Sequence, residues 1–308
     1  MINLDDLKQE IEKYCDVNFV SCASFKDMTS FKSGGECLAS VSPKNTQSLV
    51  LLIKLLKEKD IPYIILGNGS NTLASDNGYR RVVVQTVGLK EICLKDGVIV
   101  ADCGAQLTKL SSFAYENGIC GFEFLYGIPG TVGGGIYMNA GAFGGEIKDV
   151  LLGVSALNKS GRAVFIKAEE LKLSYRKSIF MDEEYIILCA HFGCKSGNKA
   201  DIREKMDGYM KIRRKNQPLE YASAGSTFKR PQPDELGNPV YAGRLIEECG
   251  LKGKNVGDAF VSEKHAGFIV NKGNAKSSEI TELINIVKKE VYEKKGVRLE
   301  CEIRFIGE

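Results

Sequence analysis

Between residues 127 and 147 the chain reads GIPGTVGGGIYMNAGAFGGEI, with eight glycines and a single charged side chain, Glu146. Glycine at such density either turns the backbone through positive φ or lets something large approach the main chain closely. A flexible linker would lack the interleaved Ile128, Val132, Ile136, Tyr137, Met138 and Phe143. The stretch is therefore expected to form a buried loop. Its amide N–H groups would face a bulky anionic ligand and supply the hydrogen bonds that Lys or Arg does not.

A second glycine motif, LGNGSNTL at residues 66–73, follows the apolar run IPYIIL. A Rossmann dinucleotide loop must open into a long helix, with an acidic residue about twenty positions further on. Here the glycines lead instead to LASDNGYRRVVVQ, which turns at Asp76-Asn77-Gly78 and becomes a strand. No G-K-[ST] occurs, so a Walker A loop is excluded as well. What survives is two neutral, amide-rich loops, enough to hold both ends of a pyrophosphate.

Composition removes other classes. A net charge of +3 on 308 residues gives no ground for a nucleic-acid partner. Basic residues are dense in KIRRK, 211–215, and at Lys229-Arg230, without interleaved aromatics; they read as a solvated face or as contacts to a diphosphate. The ten cysteines are scattered, no CxxC occurs, and His191 and His265 stand far apart, so no metal site is expected. Such cysteines fit a reducing cytosol. MINLDDLKQEIEKY reads as an acidic amphipathic helix rather than a signal peptide, and no run reaches the length of a membrane span. A cytoplasmic, soluble protein is expected.

Pattern and turn signals give the elements. Thr46 is expected to cap a helix running to about Lys59. EICLKD and GVIVAD form a hairpin at Asp96-Gly97, and QLTKLSSFAYENG is a helix stopped by Gly118. VLLGVSALN and RAVFIKA make a second hairpin, followed by the strand EYIILCAHFGC. Beyond the polar SGNKAD, 196–201, come helices and short strands, ending in the strand VRLECEIRFI. Hairpins dominate the first part and helix–strand mixtures the second, so the expected class is α+β. Three segments follow: an N-terminal helix and arm at 1–32, one domain at 33–197 and a smaller one at 202–308.

LGNGSNTL, GIPGTVGGGIYMNAGAFGGEI, LSYRKSIF, AGSTFKRP, HAGFIVN and LECEIRFIGE stand in one order along the chain. In that order the sequence resembles the UDP-N-acetylenolpyruvoylglucosamine reductases, from about Phe25 to the C-terminus. The resemblance implies a PCMH-type (vanillyl-alcohol-oxidase-like) FAD-binding domain followed by an α+β substrate domain. It implies non-covalent FAD, NADPH as reductant and a UDP-sugar substrate. The product would be UDP-N-acetylmuramate for bacterial peptidoglycan. A monomer is expected, with no nucleic-acid or membrane partner. The chain length fits the shorter subclass, which lacks an extra substrate-covering insertion.

Site residues follow from the same resemblance. The flavin pyrophosphate would lie against Gly67, Asn68, Gly69, Ser70 and Asn71, and against Gly130, Thr131, Gly133 and Gly134. Arg176 in SYRKS would bind the substrate carboxylate, for which a planar, permanently charged guanidinium is suited. Ser226 in AGSTF would be the proton donor. Serine is a weak acid, so the site must polarise it. Glu302 in EIRF matches the family glutamate, with Glu300 the fallback; strand alternation would put both on one face. Where relatives commonly carry Asn after the Lys of the FK motif, this chain has Arg230, which puts one substrate contact in question.

Two other readings use the same residues. An FAD-dependent oxidase of this fold would tether its flavin through His or Cys. A non-catalytic nucleotide-binding module would explain the glycine loops but not Arg176 and Ser226 in their flanking motifs.

Overall fold

The computed structural model describes residues 3–307. They fall into two compact units that interleave along the chain. The first takes the chain up to Cys22, Leu38–Asn68 and Arg81–Arg213; the second takes Ala23–Cys37, Gly69–Arg80 and the chain from Arg214.

This division differs from the contiguous 33–197 and 202–308 expected above, and packing explains the difference. Phe31 and Leu73 lie in the same apolar cluster as Ile246, Leu283 and Val287, so their segments belong to the second unit. Asp76 accepts from the amides of Ser277 (2.8 Å) and Ser278 (2.9 Å), satisfying donors at the start of helix Ser277–Lys295. Thr72–Ala74 pairs in parallel with Arg304–Ile306. The helix Lys199–Asn216, conversely, falls almost wholly in the first unit, where Tyr209 packs on the core around Phe122 and Ile136.

The first unit holds two larger sheets and two two-stranded pairs, Gly141–Ala142 with Gly145–Glu146 and Ile119–Cys120 with Lys195–Ser196. One has four strands in the order Val17–Ser21, Cys37–Pro43, Tyr79–Gln85, Tyr63–Leu66, the last two parallel. Helices Leu4–Tyr14 and Thr46–Glu58 cover it, burying Leu7 and Ile11, and Leu49, Leu52, Ile53 and Leu56, at helical spacing. Met1 and Ile2 of the expected N-terminal helix lie outside the described residues. The cap of the second helix is Asn45, whose side chain accepts from Ser48 N at 2.8 Å, rather than Thr46. Val17–Ser21 and the short helix Phe25–Met28 were not legible from the pattern, being too brief for a period to show.

The other sheet has five strands in the order Ala163–Lys167, Leu151–Leu157, Ile186–Gly193, Val98–Asp102, Ile92–Lys95, all antiparallel neighbours. Both expected hairpins are present in it. Helix Leu107–Glu116 ends before Gly118 at φ +66°, as the sequence predicts.

The second unit packs helices Ala242–Glu248 and Ser277–Lys295 with a three-stranded antiparallel sheet of Asn255–Val256, Ala259–Val261 and Ile269–Asn271. The expected C-terminal strand is shorter than VRLECEIRFI. Only Arg304–Ile306 is regular, and Cys301 makes an isolated bridge to Phe228. No helix among the described residues is long and apolar enough to cross a membrane, and no group of three metal-binding side chains occurs among them.

Candidate active site

The glycine-rich stretch is more ordered than a loop. Residues Val132–Tyr137, VGGGIY, form a short helix capped by Thr131, whose hydroxyl accepts from Gly134 N at 3.3 Å. Glycine here serves close packing. The Gly133 amide donates to Cys103 O at 2.7 Å, and a Cβ on Gly133 would stand 3.1 Å from both the Cβ and the carbonyl oxygen of Cys103.

The amides of this stretch are therefore largely engaged with the protein itself. Gly130 N donates to Ile128 O (2.9 Å) and Val132 N to Ala105 O (2.8 Å). The expectation that these N–H groups face a ligand is corrected at Gly130, Val132, Gly133 and Gly134. What the stretch offers outward is the exposed Gly134, where an added Cβ would meet only Thr131 Oγ1.

The LGNGSNTL loop is built the other way. Its hydrogen bonds run through carbonyls and side chains. Gly69 O accepts from Ser30 N (3.2 Å), Asn71 O accepts from Arg304 N (2.8 Å) and Asn71 Nδ2 donates to Glu302 O (3.1 Å). Asn68 Nδ2 donates to Pro129 O at 3.2 Å, and a Cβ on Gly67 would strike Thr131 Oγ1, so Gly67 and Asn68 lie directly on the 127–147 stretch. Among the described residues, the amides of Asn68, Gly69, Ser70 and Asn71 are not given to a protein acceptor. Successive main-chain donors in a glycine turn suit a phosphate. These residues fit a pyrophosphate-bearing cofactor, chiefly through the LGNGSNTL loop.

In the first unit, Arg176 sits in a two-residue turn closed by Ser174 N to Lys177 O and Lys177 N to Ser174 O, both 3.1 Å. Its φ of +54° is left-handed, a conformation that costs about 1 kcal/mol or more in a non-glycine residue and clusters at functional sites. The guanidinium lies over the Tyr175 ring, 5.0 Å from its centroid, and Nη2 reaches Gly141 O at 3.4 Å.

Beneath this turn is Asn139, completely buried and also left-handed at φ +40°. Nothing in the local pattern singled it out; a lone amide inside an apolar, glycine-rich run was the available signal. Its Nδ2 donates to Ser174 O and to Glu146 Oε2, each at 3.0 Å, and its Oδ1 accepts from Lys148 N at 3.1 Å. Burial works to raise the Glu146 pKa, but hydrogen bonds from Lys148 and Asn139, with the charges of Lys148 and Arg176, hold the carboxyl below its usual range.

In the second unit the segments that carry Ser226 and Glu302 are neighbours. Glu302 N donates to Thr227 O at 2.8 Å and Lys229 N to Glu300 O at 2.9 Å, so residues 227–229 and 300–302 run side by side. Ser226 is half-buried, and its Oγ reaches Phe228 O at 3.5 Å. The expectation that Glu300 and Glu302 share one environment fails where the regular strand fails. Glu300 is an exposed residue paired with Lys229 Nζ at 3.0 Å, whereas Glu302 is half-buried beside Asn71. His265 lies close by. A Cβ on Gly267 would stand 3.0 Å from the His265 ring and 3.4 Å from Ser226 Oγ. Burial holds that imidazole below its ordinary pKa range, and its Nδ1 accepts from Gly267 N at 3.1 Å. Arg230 rests over the Tyr241 ring at 5.2 Å.

Comparison with known proteins agrees with this architecture. Residues 38–167 match the FAD binding domain family, and residues 217–306 match the C-terminal domain of UDP-N-acetylenolpyruvoylglucosamine reductase. The chain is thus an α+β flavoprotein with a PCMH-type FAD-binding domain.

The relatives are more specific. A UDP-N-acetylenolpyruvoylglucosamine reductase of Clostridium kluyveri is 42% identical over 100% of both chains. One from Caldicellulosiruptor bescii is 44% identical over 95% of this chain and 92% of its own. The crystal structure of UDP-N-acetylenolpyruvylglucosamine reductase from Thermus caldophilus superposes with a TM-score of 0.79 at 32% identity, covering 96% of this chain and 100% of that one. The chain belongs to the UDP-N-acetylenolpyruvoylglucosamine reductase family.

Proposed function

We infer that the protein is an NADPH-dependent, FAD-containing oxidoreductase that reduces UDP-N-acetylenolpyruvoylglucosamine to UDP-N-acetylmuramate for peptidoglycan synthesis. Family membership over the full chain carries the reaction. The observation in this molecule that supports it best is the Thr227–Glu302 main-chain bond, which sets the segment of Ser226 beside that of Glu302.

FAD, when bound, supplies the hydride, drawn from NADPH, that adds to the enolpyruvyl double bond. Asn68, Gly69, Ser70 and Asn71, beside Gly67, would hold its pyrophosphate by main-chain N–H groups, while Gly130, Thr131, Gly133 and Gly134 would supply a close-packed wall with its open side at Gly134.

The chain's own part is to manage charge and a proton. Hydride addition to an enol ether builds negative charge next to the substrate carboxylate. Arg176 grips that carboxylate with two hydrogen bonds, which a guanidinium does and an ammonium cannot. Ser226 Oγ–H gives its proton to the carbon that carries the new charge, and Glu302 orients the substrate or the serine proton. One hydride and one proton together complete the two-electron reduction of the double bond. Arg230, with Lys229, lies on the substrate-binding segment and meets the UDP diphosphate. The units act as a FAD-binding part centred on 33–197 and a substrate-binding part centred on 202–308. The enzyme works in the cytoplasm as a monomer, without nucleic acid or membrane.

Purification tests this reading. The expected protein is yellow, releases all its flavin to the supernatant on acid precipitation, and oxidises NADPH only when the UDP-sugar is present. Flavin retained in the pellet would point to a tethered oxidase. A colourless protein that binds nucleotide without turnover would overturn the enzymatic reading.

A further inference from the structure

We propose that Asn139 is a positioning residue for Arg176, fixing the turn from which the guanidinium meets a carboxylate. This rests on the reading of Arg176 as the carboxylate-binding group. Asn139 joins three segments of the first unit through one buried amide: its own at the end of the glycine helix, residues 146–148, and the turn that carries Arg176. Its bond to Ser174 O is made to the first residue of that turn, whose two main-chain bonds then place Tyr175 and Arg176. Ser178 Oγ adds a second tether on the far side of the turn, to Tyr137 O at 2.7 Å.

The geometry leaves Asn139 little substitute. Its side chain is fully buried and its φ of +40° is one that Asn and Asp tolerate better than other side-chain-bearing residues. Both Nδ2 hydrogens are directed at acceptors while Oδ1 takes an amide, so all three bonds need a carboxamide. The same amide holds Glu146, the anion whose field is felt with that of Arg176. Lys148 Nζ, 2.7 Å from Glu146 Oε2, balances that anion.

The test compares two ligands that differ by the carboxylate. Calorimetric titration of the FAD-loaded protein with UDP-N-acetylmuramate, and with UDP-N-acetylglucosamine, which lacks the lactyl group, gives an affinity for each. Asn139→Ala is expected to weaken the first about tenfold, as a displaced binding group does, and to leave the second within about twofold. In an Arg176→Ala background the same change should add no further loss, because the interaction it supports is already gone.

Equal weakening of both ligands, or losses that add in the double variant, would overturn the proposal and leave Asn139 a structural residue. Should Asn139→Ala not fold, Asn139→Asp carries the same comparison. It keeps the shape, the tolerance of positive φ and the acceptor for Lys148 N, but lacks the donor to Ser174. If Arg176→Ala alone leaves UDP-N-acetylmuramate affinity unchanged, the carboxylate reading of Arg176 falls first, and that outcome is distinct from a failure at Asn139.

Discussion

Arg176 and the Ser226–Glu302 pair are mounted by different kinds of bond. The arginine stands on a strained turn fastened from beneath by side chains, Asn139 to Ser174 O and Ser178 to Tyr137 O. Serine and glutamate stand on two segments fastened by main-chain bonds, Glu302 N to Thr227 O and Lys229 N to Glu300 O. A main-chain mount survives replacement of the side chains it carries. A side-chain mount can be undone by one substitution several residues away. Loss of function through the side chains that fasten the Arg176 turn should therefore come with some cost in stability, whereas replacing Arg176 or Ser226 themselves should not.

The largest expected effect sharpens that contrast. Ser226→Ala removes the proposed proton donor and should slow reoxidation by the enolpyruvyl substrate about 10²–10⁴-fold, the usual contribution of a positioned acid. NADPH should still bleach the flavin normally, and the melting temperature should not move. Rapid-mixing absorbance on the two steps gives the answer. Equal slowing of both would mean that Ser226 positions the flavin, and unchanged reoxidation would turn attention to Glu302.

Arg176→Lys keeps the charge but loses the planar grip, so substrate reduction should fall by about ten- to a hundredfold. Because Asn139 holds the turn at Ser174 O, thermal stability should stay near wild type. Steady-state kinetics with a melting curve separates the two quantities. Wild-type turnover would remove Arg176 from the mechanism.

Gly133→Val probes the scaffold under the first mount. The added side chain meets Cys103 at 3.1 Å, so overpacking should cost about 1–3 kcal/mol even in protein stripped of FAD. An unchanged melting temperature of stripped protein, combined with lost FAD binding, would show instead that the side chain meets the ligand. The smallest effect is expected at Glu300→Gln. Its ion pair with Lys229 is exposed, so stability and turnover should change by no more than about 0.5 kcal/mol. A large kinetic loss there would exchange the roles of Glu300 and Glu302.

Much of the fold was legible because its signals are local. The Asp96-Gly97 hairpin and the helix ending at Gly118 follow from turn chemistry and period alone. The interleaving of the units was not, because it depends on where Phe31, Leu73 and Asp76 find partners two hundred or so residues away. The site divides in the same way. Ser226, Arg176 and Glu302 were picked out by their motifs. The difference between Glu300 and Glu302 was hidden, because the strand expected to carry them is a single bridge with its own exposure. Glycine content at 127–147 said that something approaches the backbone. In the structure much of that approach is made by the protein's own turn at Cys103, just past the strand Val98–Asp102, a distinction composition cannot draw.

That contact between Gly133 and Cys103 also makes the thiol a clock. Cys22 and Cys93 are exposed and open to an alkylating reagent at once, whereas Cys103 is fully enclosed and its pKa is raised, first by burial. The reagent can reach Cys103 only during excursions that open the packing around it, among them any in which residues 132–137 lift away, so the rate of its labelling counts those excursions. A cofactor seated on the outer side of the same helix should make them rarer. The mass of alkylated protein against time would then report, without any enzymatic assay, how firmly the glycine helix is held down.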